Sequence, residues 1–480
     1  MLVKLTAQDL KIGMFVAELD RPWADTPFLI QGFMVEEPSE VASLRLHCHY
    51  VYVDPARSAA GVLPSVRAKR SALTTAATGA SRGEVLDLTG QSGEAGSLSD
   101  TGRFMQMAHS GEGQYANQNG HFGKRLLRAL IGRGQNKTHL SPPPPPRYPF
   151  IPPGIELAAY PVTHSLEEEF ERASSSFGYA QYAMNRIVAD LLGRKPLTMD
   201  HLWKAIDDII ASMLRNGDAM MWVAMTTRQD ASIYGHGIRA AVHLVALGKH
   251  LGLAKFNLMQ VAVAGALLDI GKTTLPLRLL IKPEKLSEEE FVMVRGHVNN
   301  GLSMITGTAP LHDEIIRAIA EHHEREDGSG YPKGLQGDQI GLYGRMAAIV
   351  DTFIALTDER PFAQAISPYL AFRKITEWSK SLFFAPLVEQ YIQAIGVFPV
   401  GSLVRLSSGE MAVVVRQNRA KRLQPLVLIV ADADKSPKCK PRHLDLAEQT
   451  LKRNAPLAVT ISDGLPASAF ELDERLVRLG

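Results

Sequence analysis

The stretch Glu321–Leu335, EHHEREDGSGYPKGL, places two adjacent histidines between a helical pattern and a glycine-containing loop. Upstream, Ile315 and Ile319 mark an apolar stripe, and His322 and His323 fall on the same stripe. Both imidazoles are therefore predicted to point into the protein. A buried imidazole without a partner costs about 1–3 kcal/mol. The pair indicates either a shared metal ion or two core histidines that bond to backbone carbonyls.

The composition of the 480-residue chain predicts a globular protein with more than one domain. The net charge is +2, which gives no sign of a nucleic-acid polymer as partner. Cys48 and Cys439 are the only cysteines, so a disulfide scaffold is excluded and a reducing cytoplasm is expected. The N-terminus lacks the apolar segment of a signal peptide, and no apolar run reaches the roughly 18 to 20 residues that span a bilayer.

The first third of the sequence contains two segments of contrasting composition. Residues 1–55 alternate short apolar runs with turns, which predicts a small strand-rich domain with one helix near Ser39–Leu46. Residues 56–147 are rich in Ala, Ser, Gly and Thr and end in the proline run Pro142–Pro146. Such a segment buries too little apolar surface to offset its ordering entropy, so it is predicted to be a disordered linker.

The rest of the chain changes from helical to strand periodicity. Residues 163–400 follow a helical period, with capping-box patterns at Ser165–Glu168 and Ser287–Glu290. Residues 401–480 change to short β-rich runs separated by turns, which predicts a small β module and a tail. The expected protein is multidomain and mainly α, an all-α helical bundle flanked by a strand-rich N-terminal domain and a C-terminal β hairpin module.

Polar residues interrupt the apolar stripes of several predicted helices. One buried Asp or His is usually satisfied inside the core, whereas a group that converges from several helices is hard to satisfy without a cation. Helix bundles build metal sites from inward carboxylates and histidines. The residues predicted to share one interior are His236, Asp269, His297, His322, His323 and Asp351.

The residue types in this group point to a class of chemistry. The set lacks a thiolate, which favours iron or manganese, with zinc or nickel as alternatives. A metal held by His and Asp polarises a phosphoryl oxygen and supplies hydroxide at neutral pH. Lys272, three residues after Asp269, is placed to neutralise phosphate charge. Phosphoester hydrolysis is therefore the predicted chemistry, and a helical scaffold without a site is the alternative.

Three strings carry a resemblance to a known family. HHEREDGSGYPKGL (322–335), HVNNG (297–301) and RMAAIVDTFIALTDERPF (345–362) resemble the HD-GYP family, bacterial metal-dependent phosphodiesterases that act on cyclic di-GMP. The resemblance covers about residues 232–395 and implies an HD-type helical bundle. The strings GMFVAELDRPW and PFLIQGF near the N-terminus resemble the small domain that often precedes this one.

The resemblance implies a role for individual residues. It makes Asp269 a metal-bridging aspartate, Lys272 a phosphate-facing lysine, and Arg360 an arginine near the substrate phosphates. Gly330, Tyr331 and Pro332 match the signature loop, which shapes the substrate side and contacts partners such as diguanylate cyclases. The implied ligands of one or two divalent ions are His236, Asp269 and Asp351 on one side and Asp269, His297, His322 and His323 on the other.

Departures from the family pattern weaken one side of this set. Leu268 stands where the family has the histidine of its His-Asp pair, and leucine cannot ligate a metal. Ser232 stands where some members place a glutamate for a third metal. Ala363 and Gln364 follow the RPF string where a basic residue is common, which should weaken the hold on phosphates.

These departures leave two functional predictions open. The first is a hydrolase that converts cyclic di-GMP to the linear dinucleotide or GMP with impaired activity, because two-metal chemistry needs both ions. The second is a non-catalytic protein that senses cyclic di-GMP or docks a partner through its intact signature loop. Leu268 favours the second, whereas the nearly complete ligand set favours the first.

Overall fold

In the computed structural model, the structure describes residues 3–20, 33–35, 38–55, 58–59, 148–193, 198–227, 233–306, 310–360, 363–418, 421–434, 436–448 and 459–470. The chain divides into two compact units, residues 1–98 and residues 99–480. The predicted linker, residues 56–147, lies outside the described residues apart from Ser58 and Ala59. Ser232 lies outside them as well.

The N-terminal unit is built on a small antiparallel sheet, as its alternating pattern predicts. Its strands are β1 (Val3–Thr6), β2 (Phe15–Leu19), β3 (Phe33–Met34) and β4 (Tyr50–Val53), in the order β1-β4-β2-β3, and helix α1 spans Pro38–His47. In the YVYV string of β4, Val51 and Val53 are fully buried and the tyrosines are half-buried. This alternation puts one face of the sheet on the hydrophobic core and the other toward solvent.

The second unit is a helical bundle that carries the expected inward stripes. Its helices are α2 (Leu166–Leu192), α3 (Asp200–Arg215), α4 (Gly217–Thr226), α5 (Ile233–His250), α6 (Lys255–Leu267), α7 (Leu277–Leu280), α8 (Glu288–Arg295), α9 (His297–Thr306), α10 (Asp313–Glu321), α11 (Leu342–Thr357), α12 (Pro368–Trp378) and α13 (Ala385–Ile395). No helix in the described parts of the chain combines the length and apolarity that a bilayer crossing requires.

Both predicted capping boxes are present. At the start of α2, the Ser165 hydroxyl accepts from the Glu168 backbone N–H at 3.2 Å, and the Glu168 carboxylate accepts from the Ser165 N–H at 2.8 Å. Ser287 and Glu290 make the same reciprocal pair at the start of α8. Each box satisfies backbone donors that a helix leaves unbonded at its N-terminus.

The structure corrects the helix assignment around His297. The sequence pattern suggests one helix from Ser287 through His297, but α8 ends at Arg295 and α9 begins at His297. Gly296 lies between them, and its N–H donates to the carbonyls of Val292 and Met293. Glycine is a poor helix former, and the helix is interrupted at Gly296, so that His297 begins a new helix.

Glycines bring the polar residues of the bundle together by allowing close backbone contacts. A Cβ added to Gly237 in α5 would lie 2.4 Å from the Ala266 carbonyl oxygen of α6. A Cβ on Gly271, in the 3-10 turn after α6, would lie 1.9 Å from the His297 carbonyl oxygen. The end of α6 therefore lies directly against α5 on one side and against the start of α9 on the other.

The C-terminal part of this unit is an antiparallel sheet larger than the predicted hairpin module. Strands β5 (Leu403–Leu406), β6 (Met411–Arg416), β7 (Leu426–Ala431), β8 (Pro437–Asp445) and β9 (Ile461–Leu465) lie in the order β8-β7-β6-β5-β9. Hairpins join β5 through β8, but β9 returns to pair with β5, with Leu403 opposite Leu465. A pairing this distant in sequence leaves no local pattern to predict it.

Candidate metal centre

The two adjacent histidines lie where helix α10 ends. Glu321 is the last helical residue and His322 is the C-cap, and the side chains of His322 and His323 are 0% and 3% exposed. Nδ1 of His322 lies 2.7 Å from the Ile319 carbonyl oxygen. A carbonyl only accepts hydrogen bonds, so Nδ1 carries the proton and Nε2 keeps its lone pair.

His297 is oriented in the same way from a different helix. Its Nδ1 lies 2.7 Å from the Val294 carbonyl oxygen, so this imidazole also presents the lone pair of Nε2 to the interior. The side chain is fully buried. A backbone carbonyl that fixes the tautomer and the ring orientation is the arrangement that metal-ligating histidines usually have.

Three histidines and one aspartate meet inside the bundle. One donor atom from each of Asp269, His297, His322 and His323 lies within 4.8 Å of the others. Oδ1 of Asp269 is 3.4 Å from Nε2 of His297 and 4.0 Å from Nε2 of His322. Both of these Nε2 atoms are buried and make no hydrogen bond to any residue that the structure describes. Because buried acceptors without a donor are costly, the four side chains fit a divalent cation.

A second group shares Asp269 but has a different character. His236, Asp269 and Asp351 also lie within the reach of one ion. Here Nε2 of His236 is 2.9 Å from Oδ1 of Asp351, and the Lys272 ammonium donates to Oδ2 of Asp269 at 2.8 Å. Hydrogen bonds thus already compensate the charges on this side. Leu268, which precedes Asp269, is fully buried and contributes only hydrocarbon.

The two groups differ in protonation as well. Burial, followed by the nearby charge of Lys272, lowers the pKa of His297 from 6.5 to about 4. Burial alone would also lower the pKa of His236, but the hydrogen bond to Asp351 and the charges of Asp269 and Asp351 raise it above 6.5. His297 is therefore neutral at pH 7, as a ligand must be, whereas His236 binds a proton more readily than a free histidine.

A buried carboxylate folds the signature loop back over the histidines. Glu324 is 2% exposed and accepts from the backbone N–H groups of Lys333 at 2.7 Å and Leu335 at 2.9 Å. A Cβ added to Gly330 would lie 2.5 Å from the Glu324 Cα, so only glycine allows this approach. These contacts hold the loop from Gly330 to Leu335 against the chain segment that contains His323 and Glu324.

The other acidic residues of the EHHERE string fix its two ends. Glu321 accepts from the Gly341 N–H at 2.7 Å, which ties the end of α10 to the start of α11. Glu326 accepts from the Arg345 guanidinium at 2.8 and 3.2 Å. These roles of Glu321, Glu324 and Glu326 were not predicted from the sequence. The sequence signal that could have indicated them is the string EHHERE, in which three glutamates surround the histidine pair just before the glycine-containing loop.

Tyr331 of the signature loop lies directly on the centre. Its ring stacks on His323 with centroids 4.6 Å apart and planes 29° apart, and its N–H donates to the His323 carbonyl at 3.2 Å. The Tyr331–Pro332 peptide bond is cis. Gly330, Tyr331 and Pro332 thus lie beside the candidate metal ligands, and their part in shaping the substrate side stays a prediction.

Arg360 lies beyond the end of α11 and is half-buried. Its backbone forms a short turn with Ala363, with hydrogen bonds of 3.0 and 3.2 Å in the two directions. Arg239 of α5 pairs with Asp358, two residues before Arg360, which ties this turn to the bundle. Pro361 and Phe362 fall outside the described residues. A contact of Arg360 with phosphate stays a prediction.

Comparison with known proteins identifies two family matches along the chain. Residues 222–386 match the model of the HD domain, and residues 2–202 match a domain of unknown function, DUF3391. The HD match contains all of the residues that meet in the two groups around Asp269. The DUF3391 match runs through the predicted linker and into the first helices of the bundle.

Curated relatives share this part of the chain. Cyclic di-GMP phosphodiesterase PA4108 of Pseudomonas aeruginosa is 32% identical over 283 residues, which are 59% of this chain and 68% of the relative. A cyclic di-GMP phosphodiesterase of Thermotoga maritima is 30% identical over 34% of this chain and 45% of its own length. The response regulator RpfG of Xanthomonas campestris, also named a cyclic di-GMP phosphodiesterase, is 38% identical over 25% of this chain and 32% of its own length.

Among solved structures, Bd1817, a HDG"Y"P protein from Bdellovibrio bacteriovorus, matches 47% of this chain and 68% of its own, at 16% identity and a TM-score of 0.35. The family assignment rests on the PA4108 relative, on the HD match and on the signature strings quoted above. The chain belongs to the HD-GYP family.

Proposed function

We propose that this chain binds cyclic di-GMP at the Asp269 centre and hydrolyses one of its phosphodiester bonds at a low rate, to the linear dinucleotide or GMP. The observation that carries the proposal is the pair of buried Nε2 atoms of His297 and His322, both aimed at Oδ1 of Asp269. The names of the curated relatives give the substrate.

The proposed cofactor is a single iron or manganese ion held by Asp269, His297, His322 and His323. This donor set has three imidazoles, one carboxylate and no thiolate, which suits either metal. When bound, such an ion polarises a phosphoryl oxygen and supplies hydroxide at neutral pH. The other group, His236, Asp269 and Asp351, would hold a second ion weakly because Leu268 supplies no ligand.

The residues around the centre have proposed tasks of their own. The buried Lys272 ammonium holds Oδ2 of Asp269 and so leaves Oδ1 directed at the histidines. The hydrogen bond between His236 and Asp351 keeps a proton on His236, beside the carboxylate of Asp269, as the raised pKa of His236 indicates. Tyr331 covers one face of His323 and limits the access of water to that ring. Arg360 is the proposed contact to a substrate phosphate.

A second candidate function is a non-catalytic sensor of cyclic di-GMP that uses its metal structurally. It is favoured by Leu268 and by the hydrogen bonds that already satisfy the His236 side. In this case the signature loop, held by Glu324, would present a fixed surface to a partner such as a diguanylate cyclase. The proposed compartment for either function is the cytoplasm, in line with the two cysteines of the sequence.

The test is a hydrolysis assay of the full chain supplied with iron or manganese, with separation of the linear dinucleotide and GMP from the substrate. Slow turnover that disappears in Asp269→Asn is the result expected for the hydrolase. Cyclic di-GMP binding without any turnover would favour the sensor instead. A chain that neither binds nor cleaves cyclic di-GMP would contradict both.

A further inference from the structure

Arg295 lies at the edge of the candidate metal centre, at the end of helix α8. Its guanidinium carbon is 4.4 Å from the ring centroid of Phe291 and 4.9 Å from that of Tyr331. Tyr331 in turn stacks on His323. Arg295 therefore contacts the ring that lies on His323, at the edge of the candidate metal ligands.

The charge of Arg295 is not compensated by any carboxylate that the structure describes. No described acidic residue lies within 4.0 Å of its guanidinium, and its buried Nε makes no hydrogen bond to a described residue. Two other buried or half-buried cations of the bundle differ, because Lys272 donates to Asp269 and Arg345 to Glu326. A half-buried cation with a buried, unbonded donor is a suitable partner for an anionic ligand.

Two aromatic rings hold the guanidinium of Arg295. The ring planes of Phe291 and Tyr331 are 78° apart, and the guanidinium lies within cation–π distance of both. The N–H groups lie in the plane of the guanidinium and form a fork that matches two phosphate oxygens. Held in this way, Arg295 loses little additional side-chain freedom when it binds an oxyanion.

The position of Arg295 suggests which phosphate it binds. A cyclic dinucleotide contains two phosphodiesters, and only one of them can be at the metal ligands at a time. The other carries a negative charge that needs a cation away from the reacting bond. We propose that Arg295 binds the phosphodiester of the cyclic dinucleotide that is not being cleaved. This inference rests on the proposed function of the Asp269 centre.

The test compares two ligands that differ in the second phosphate. Cyclic di-GMP and the dinucleoside monophosphate GpG, which has a single phosphodiester, are titrated calorimetrically into the manganese-loaded full chain, with GpG measured by competition where it binds weakly. Chromatography after each titration verifies that the ligand is intact. Arg295→Ala and Arg295→Lys are compared with Arg278→Ala, which removes the same charge from an exposed site on the short helix α7.

The expected result is a loss of binding affinity for cyclic di-GMP, which has the second phosphate, and not for GpG. Removing a charged hydrogen-bond partner should weaken cyclic di-GMP binding about 10- to 100-fold in Arg295→Ala, while GpG binding and the effect of Arg278→Ala stay within about threefold. Arg295→Lys should lie between, because lysine keeps the charge and loses the fork. The metal content of all variants should equal that of the wild type.

Other results would overturn the inference in distinguishable ways. An equal loss for both ligands, or a drop in metal content in Arg295→Ala, would mean that Arg295 acts by holding Tyr331 on His323. Unchanged cyclic di-GMP binding in Arg295→Ala would exclude the contact and leave the proposed function standing. A wild-type chain that does not bind cyclic di-GMP would overturn the proposed function together with this inference.

Discussion

Asp269 belongs to two groups of histidine and aspartate side chains, and the two groups differ in their hydrogen bonds. On the His297 side, buried Nε2 atoms of two histidines point at Oδ1 and make no hydrogen bond to described residues. On the His236 side, the imidazole bonds to Asp351 and the Lys272 ammonium bonds to Oδ2. The first group needs a cation to satisfy its atoms, whereas the second is already satisfied by its own hydrogen bonds.

The absence of one ligand changes the surroundings of the shared carboxylate. Leu268 provides no nitrogen on the His236 side, so a cation there would have His236, Asp269 and Asp351 alone from this group. The ammonium of Lys272 is fully buried beside Asp269 and provides positive charge from the chain itself. We therefore expect one firmly held metal per chain rather than two.

The largest expected effect comes from removing a ligand on the His297 side. His322→Ala and His323→Ala should each lower metal affinity by more than about tenfold, since loss of residues that merely support a ligand already costs 10- to 100-fold. Metal content of the purified variants by mass spectrometry is the measurement. His201→Ala is the matched control, because that histidine bonds to Tyr179 in another part of the bundle. Unchanged metal in both variants would contradict the inward geometry.

The next effect restores the ligand that the family has on the His236 side. Leu268→His should add a second metal per chain and raise cyclic di-GMP turnover by about tenfold or more, because two-metal sites stabilise both the attacking and leaving oxygens. Leu268→Gln is the control, since glutamine is polar and similar in length but lacks the imidazole. Turnover of the wild type equal to that of Leu268→His would show that Leu268 does not limit activity.

The protonation of the two sides offers a test that needs no metal. In the metal-free protein, the imidazole of His297 should titrate near pH 4, and that of His236 above its usual value of 6.5. NMR of the histidine rings gives both pKa values, with assignments from His297→Gln and His236→Gln. Because His297 has the lowered pKa, its contribution to stability is lost as pH falls from 6.5 toward about 4. Equal pKa values for His297 and His236 would show that the two sides of Asp269 do not differ in their electrostatics.

The smallest expected effect is on stability rather than metal. Asp351→Ala leaves the buried His236 without its hydrogen-bond partner and should lower the free energy of unfolding by about 1–3 kcal/mol while one metal stays bound. Urea unfolding of the metal-loaded protein measures this change. Thr352→Val is the control, because the adjacent buried hydroxyl has no hydrogen bond to lose among the described residues. Loss of the metal in Asp351→Ala would mean that Asp351, on the His236 side, also helps to bind the ion.

Much of the centre could be predicted from the sequence because a buried polar residue stands out on an apolar stripe. His236 and Asp351 are polar residues at buried positions on the apolar stripes of their helices, and both lie in the predicted group. Helical periodicity reports which face of a helix points inward, and it selected His236 and Asp351 in this way. It does not report their hydrogen bonds, so the contrast between the two sides of Asp269 required the structure.

Features that depend on chain segments distant from each other were missed. Glu324 binds backbone N–H groups nine and eleven residues away, in a loop whose path is set by Gly330 and other glycines. The pairing of β9 with β5 spans an even longer stretch of chain. Local patterns give helices, caps and inward faces, whereas these contacts follow from how the loop and the C-terminal segment fold back.

The number of metal ions that the chain holds firmly is given by the metal content per chain of the purified wild-type protein, loaded with iron or manganese and washed free of weakly bound ions. We expect one equivalent, held by Asp269 and the three histidines. Two equivalents that both survive the washing would contradict it, because the His236 side would then hold an ion as firmly as the His297 side does.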